Sequence, residues 1–257
     1  MGTPGFYVLG HFIAYYGLMI AFGIAVAAFL AYIKIRRYGL NGTDFIILCS
    51  VSLLFALLGA KLMYVIVSIN TLDFSRLKDP AYLAAVMSGG FVFYGGVLGA
   101  IPAFWLCRHK FKIAIEKYIP HCFGCFPIAH GFGRVGCFLV GCCYGVPYDG
   151  PAAVTYSHSL FAPNGIPLFP VQLAEAGAEI IIGIMLYLFC GKMRASSVIT
   201  LYIAMYAPLR FGLEFLRYDT ERGGIFGIST SQLISIALFL AALLFILIQR
   251  RQIKPAR

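Results

Sequence analysis

The sequence predicts an all-α polytopic membrane protein, a bundle of seven transmembrane helices with its N-terminus out and its C-terminus in. Three observations carry this. The 257 residues are 61% hydrophobic with a mean hydropathy of +0.87, and only 12% are charged, about half the share of a soluble domain. Seven apolar stretches reach bilayer length. The basic residues between them fall almost entirely on one side.

The stretches run 11–33, 44–69, 83–107, 119–144, 172–191, 197–216 and 229–249, the third and fourth being rich in glycine. Residues 1–11 carry no basic segment and lead into a run long enough to span, so no cleavable signal is expected. Proline or glycine marks the joints. The longest loop, 145–170, holds Pro147, Pro151, Pro163 and Pro170 without an apolar run of spanning length, and is expected to pack over one mouth of the bundle. One integral-membrane domain over residues 1–257 accounts for the whole pattern.

Charge supports the count. Lys34, Arg36 and Arg37 follow the first span, and Arg108, Lys110, Lys112 and Lys117 the third. Lys192 and Arg194 follow the fifth, and Arg250, Arg251, Lys254 and Arg257 the seventh. Thirteen of the 20 lysines and arginines thus share one side, against Arg76, Lys78, Arg217 and Arg222 on the other. An even number of spans scatters this bias. The net charge of +10 is distributed as membrane topology requires and accompanies no nucleic-acid motif. No internal repeat of the inverted-repeat transporter kind, phosphate-binding loop or dinucleotide fingerprint is present.

Within this frame a few polar residues stand out. HGFGRVGCFLVGCCYG, residues 130–145, puts Arg134 inside a span, where a charge is disfavoured by ~2.5–3.5 kcal/mol on insertion scales. Glycines at 131, 133, 136, 141 and 145 leave one flank bare for a helix or a lipid headgroup. His130 lies one turn before Arg134 and Cys137 one turn after, on one face. Either Arg134 pairs with a carboxylate and locks the bundle, or its guanidinium holds an anion such as phosphate.

RFGLEFLR, residues 210–217, spaces Arg210, Glu214 and Arg217 by four and three. Glu214 is placed to pair with both arginines; a shared Glu214 leaves Arg210 donors for a ligand. Tyr94 sits between two Gly-Gly pairs in SGGFVFYGGVLGA, residues 88–100, a pattern that also serves tight helix packing. Tyr16, Lys61, Gln172, Glu175 and Glu179 complete the set. The last two share a face one turn apart and suit Lys61 or Arg134 as partners.

Eight cysteines in an apolar chain are not a disulfide framework. Cys122 and Cys142 stand 20 residues apart, roughly 30 Å along a helix, too far to share one ion. No metal is therefore expected, although Cys142 and Cys143 remain candidate reactive thiols.

In order along the chain, YYGLMIAFG (15–23), LGAKLMYV (58–65), GGFVFYGGVLGA (89–100), GRVGCFLVGCCYG (133–145), FPVQLAEA (169–176) and RFGLEFLR (210–217) resemble motifs of the phosphatidylglycerol:prolipoprotein diacylglyceryl transferase family of bacterial inner membranes. Arg134, Gly136, Gly145, Gln172, Arg210, Glu214 and Arg217 match the pattern. Tyr94 replaces the family's proposed catalytic histidine. Cys137 and Val140 stand at asparagine positions, Cys142 at an acidic one, and Phe169 at a histidine.

The resemblance implies transfer of a diacylglyceryl group from phosphatidylglycerol to the thiol of a lipobox cysteine in a prolipoprotein signal peptide, releasing glycerol phosphate without a cofactor. Arg134 and Arg210 then stabilise charge on the leaving phosphate. Tyr94 orients the headgroup and shares base catalysis with His130, while Tyr16, Gly136, Gln172, Glu214 and Arg217 contact substrate. Two rivals stand beside this reading: a divergent phosphatidylglycerol-using transferase with a different acceptor, and a non-catalytic lipid-binding or transport protein.

Overall fold

A computed structural model describes residues 5–76, 78–88, 90–219, 224–225 and 227–253. Gly89, Arg222, Lys254 and Arg257, which entered the motif and charge arguments above, lie outside these residues. The fold is mostly helical and forms two compact units, one of residues 1–38 and 119–257, the other of residues 39–118.

The first unit opens with a hairpin, β1 (Gly5–Val8) and β2 (His11–Ala14), turned by Leu9 and Gly10 at φ 50° and 81°. It leads into α1 (Tyr15–Arg37), which ends on Lys34, Arg36 and Arg37, cations suited to a helix C-terminus. After the second unit the chain returns through the end of α5 (Ile115–Cys122) into α6 (Cys125–Val140). Then come α7 (Val171–Phe189), α8 (Ala195–Glu214) and α9 (Thr230–Ile253). The second unit holds α2 (Gly42–Val67), α3 (Pro80–Ser88) and α4 (Phe93–His109). Asn41 caps α2 by accepting from the amides of Thr43 and Asp44 at 2.9 and 3.3 Å.

Among the described residues α1, α2, α7 and α9 are long and apolar enough to cross a bilayer. α5 and α6 make a fifth crossing if the pair, bent by 55°, is taken as one span. This is a multi-pass membrane protein. Two expected spans differ from single helices. The stretch 83–107 is split into α3 and the 17-residue α4. The sequence between them carries a Gly-Gly pair at 89–90, and each glycine is about 1 kcal/mol less favourable than alanine inside a helix. The stretch 119–144 is bent at Phe123–Gly124 and stops at Val140, where Gly141 turns left-handed at φ 84°.

Glycines determine which helices meet. In the second unit α2 and α4 approach at Gly59, Gly95 and Gly99: a Cβ on Gly95 would meet the Gly59 carbonyl, and one on Gly99 the Phe55 carbonyl. Gly95, beside Tyr94, thus serves close helix packing. In the first unit Gly136 of α6 lies against α1, where an added Cβ would stand 3.1 Å from Tyr16 Cδ2 and 3.2 Å from Met19 Cβ. Gly131 faces α7, with Ile180 Cγ1 at 2.7 Å from such a Cβ. The bare flank of α6 is thus filled by two neighbouring helices at these positions, and the helix carrying Arg134 is held between α1 and α7.

Candidate active site

Where α6, α7 and α8 face one another, side chains one helical turn apart form a polar ladder. His130 and Arg134 project from α6, Glu179 and Glu175 from α7, and Tyr202, Tyr206 and Arg210 from α8. All repeat at i, i+4, so each helix offers one rung per turn. On the first rung His130 Nδ1 lies 2.6 Å from Glu179 Oε1, and the Tyr202 hydroxyl donates to the same oxygen at 3.2 Å. On the second, Glu175 Oε1 takes Arg134 Nη2 at 3.0 Å and the Tyr206 hydroxyl at 3.1 Å.

The third rung belongs to Arg210. Its Nε stands 3.9 Å from Glu175 Oε1, its Nη2 pairs with Glu214 Oε2 at 2.8 Å, and Nη2 also donates to Ser231 Oγ at 3.2 Å. Glu175, Glu179, Arg210 and Glu214 are all buried. Ionised groups keep their charge in such a setting only when paired and hydrogen-bonded. The expected carboxylate partner of Arg134 is Glu175, and its neighbour Glu179 holds His130. Two guanidinium groups from different helices therefore converge on a single carboxylate oxygen.

Two donors of this ladder stay outside its bonds. Arg134 Nε and Arg210 Nη1 are buried without a hydrogen-bond partner among the described residues. Buried donors are nearly always satisfied, which sets these two apart from the paired groups of the ladder.

The end of α6 is held by the loop that follows it. Gly141 N–H donates to the Cys137 and Phe138 carbonyls at 2.9 and 3.2 Å, the Tyr156 hydroxyl to Phe138 O at 3.0 Å, and Ser159 Oγ to Val140 O at 3.2 Å. Gln172 Nε2 donates to Cys142 O at 2.8 Å. The carbonyls that a helix terminus leaves open are thus satisfied by the loop. Beyond it, Val146 N–H donates to Leu216 O and Tyr218 N–H to Tyr144 O, at 2.9 and 3.0 Å. Gly145 is required there: a Cβ would meet the Phe169 carbonyl. Burial pushes the Tyr156 phenol up to about 12.

The other residues singled out in the sequence have these surroundings. Arg217 pairs bidentately with Asp219, Nη2–Oδ2 at 2.9 Å and Nε–Oδ1 at 3.3 Å, and the Glu214 ion pair is with Arg210. Lys61 donates to the Val86 carbonyl at 2.7 Å within its own unit, so it serves the end of α3. Tyr94 is half-buried in the second unit, with its ring 6.0 Å from that of Phe93. Gln172 is buried and its amide organises the Cys142 carbonyl. Tyr202 and Tyr206 join the site without having stood out in the sequence; their one signal there is the i, i+4, i+8 register with Arg210. Finally, the sulfurs of Cys137, Cys142 and Cys143 lie within 4.8 Å of one another. The separation argument removes Cys122 from such a group but leaves these three together.

The class of this membrane-embedded protein, a transferase, is given by its relatives. The chain belongs to the prolipoprotein diacylglyceryl transferase family, whose model matches residues 4–248. It is 35% identical over 223 residues to the phosphatidylglycerol–prolipoprotein diacylglyceryl transferase of Clostridium tetani (strain Massachusetts / E88), covering 86% of this chain and 87% of that protein. The protein of the same name in Geobacter sulfurreducens is 33% identical over 264 residues, with 98% and 97% covered. A second form from Clostridium perfringens, phosphatidylglycerol–prolipoprotein diacylglyceryl transferase 2, is 30% identical over 230 residues, with 89% and 88% covered.

Proposed function

We propose that this chain, as one integral-membrane domain of a bacterial inner membrane, moves a diacylglyceryl group from phosphatidylglycerol to the lipobox cysteine thiol of a prolipoprotein. The observation that carries the anion-binding part is the pair of orphan donors, Arg134 Nε and Arg210 Nη1. Phosphate oxygens accept from guanidinium forks in the plane these donors offer. Glu175 holds Arg210 loosely, at 3.9 Å, so an arriving phosphodiester takes over part of that claim without stripping Arg134 of its 3.0 Å pair.

In the step itself the acceptor thiolate attacks the glyceryl carbon. The carbon–oxygen bond to phosphate breaks, a thioether forms, and glycerol phosphate leaves carrying the displaced electron pair. Negative charge grows on the phosphate, where Arg134 and Arg210 stabilise it. His130, oriented by Glu179 at 2.6 Å, and Tyr94 are the groups we assign to the proton and the headgroup. Tyr16, Gly136, Gln172, Glu214 and Arg217 shape the surroundings. Of these, Tyr16 and Gly136 already touch at the α1–α6 seam.

Seven crossings with N-terminus out and C-terminus in fit this scheme, taking α3–α4 and α5–α6 as one crossing each. The basic residues at the end of α1, at and beyond the end of α4, after α7 and in α9 support that orientation. A second reading, a transferase that uses phosphatidylglycerol with another acceptor, is favoured by Cys137, Val140 and Cys142 at positions where the family carries polar residues. Complementation of a strain depleted of its own lipoprotein transferase separates them. Thioether-lipidated prolipoprotein is the expected product; growth failure together with consumption of labelled phosphatidylglycerol by the purified protein assigns the other acceptor.

A further inference from the structure

The three thiols at the end of α6 belong to no rung of the ladder. Cys137 occupies the last turn of the helix, and Cys142 and Cys143 follow the left-handed Gly141. Cys143 is itself left-handed at φ 57°, a conformation L-residues other than glycine adopt at some expense. The two changes of direction carry both thiols back over the helix end. All three sulfurs lie within 4.8 Å of one another, and the Cys142 thiol donates to the Cys137 carbonyl at 3.7 Å. Cys137 is buried and the other two are partly buried.

We propose that Cys137, Cys142 and Cys143 bind a zinc-like divalent cation through three thiolates, and that its fourth position receives the acceptor cysteine thiol. This rests on the transferase reading above. Thiolates at about 2.3 Å from a tetrahedral zinc stand about 3.8 Å apart, so the sulfurs close by about 1 Å or less to take the ion. Three protein ligands with one open position is the arrangement of catalytic rather than structural zinc.

Charge agrees with this assignment. Three thiolates and a dication carry a net charge of about −1, and a fourth thiolate makes it about −2. Arg134 and Arg217 both lie within electrostatic range of Cys143 and supply opposing charge in a site of low dielectric. Arg134 lies one turn before Cys137 on α6, so the ion sits beside the arginine assigned to the donor phosphate.

The chemistry addresses a gap in the acceptor half of the site. Tyr94 stands where the family's histidine would be, and a phenol hydroxyl is a poorer base for a thiol than an imidazole is. A coordinated thiol gives up its proton on binding, passed to solvent by way of His130, the group assigned to the proton, and stays a nucleophile. Metal-bound sulfur then attacks the glyceryl carbon, the carbon–oxygen bond breaks, and glycerol phosphate leaves with the electron pair. The thioether, a weak ligand, departs and leaves the three-thiolate site unchanged. No oxidant or reductant is needed.

The test uses reduced, metal-free, full-length protein in detergent, titrated with Co2+. The expected result is one Co2+ per chain with thiolate-to-cobalt charge-transfer absorption, displaced by Zn2+. Cys137→Ser, Cys142→Ser and Cys143→Ser abolish the band, and Cys49→Ser keeps it; thermal melting of the metal-free variants shows that each is folded. A lipobox peptide strengthens the band, and the same peptide with serine for cysteine does not. Removing the metal lowers transfer by about 10–100-fold. Absence of the band in the reduced wild-type protein overturns the proposal, as does full transfer by metal-free protein, which leaves the transferase reading standing. A cobalt band that answers to the peptide in a protein unable to transfer retains the site and contradicts that reading instead.

Discussion

Glu175 Oε1 meets three donors from two helices: Arg134 at 3.0 Å, Tyr206 at 3.1 Å and Arg210 at 3.9 Å. Removing its charge leaves buried guanidinium groups without their common partner. Glu175→Gln is expected to lower stability by about 3–5 kcal/mol, read as a fall in thermal midpoint in detergent. Arg134→Lys keeps the charge and loses the planar fork; transfer should drop by about 10²–10³-fold in a labelled-lipid assay. Tyr94→Phe and His130→Ala should each reduce transfer, and full activity in both would remove them from the proton and headgroup roles. At this scale the arginines are legible in the sequence, because a charge within an apolar run is conspicuous. Tyr202 and Tyr206 are concealed, since tyrosine in an apolar helix looks like packing until its register with Arg210 is noticed. Arg217 misleads for a related reason: helical spacing points to Glu214, but α8 ends there, and the turn beyond brings Asp219 within reach.

The helix α6 depends on its neighbours along its flanks and on the following loop at its end. Gly136→Leu inserts a side chain where even a Cβ lies 3.1 Å from Tyr16, and overpacking of this kind is expected to cost about 1–3 kcal/mol, measurable by the same melts. The Tyr156 phenol, pushed up to about 12 by burial, holds the Phe138 carbonyl at 3.0 Å. An unfolded tyrosine titrates near 10, so between these values the unfolded chain has lost a proton that the folded chain keeps. Stability should therefore fall as pH rises from about 10 towards 12, and Tyr156→Phe should flatten that part of the profile. Length and hydropathy suffice to read the stretches that form α1, α2, α7, α8 and α9 as single helices. The two stretches that break contain glycine pairs or Phe-Gly joints, whose effect on helix continuity depends on neighbours that hydropathy does not register.

Across the whole molecule, composition and basic-residue placement identify a multi-pass membrane protein, and the order of motifs identifies its family. The gathering of Cys137, Cys142 and Cys143 is not readable from spacing, because it follows from left-handed Gly141 and Cys143 after a helix end. Reporter fusions after Lys34 and Lys192 should place both points on the cytoplasmic side of the membrane, as the proposed topology requires. The central claim concerns two arginines of different helices acting on one phosphate. Its most direct measurement is thioether product formed by purified full-length protein from labelled phosphatidylglycerol and a lipobox peptide, comparing wild type with Arg134→Ala and Arg210→Ala. Robust product from the wild type and near-complete loss in both variants is the predicted result; product undiminished in either variant, or none from the wild type, would contradict it.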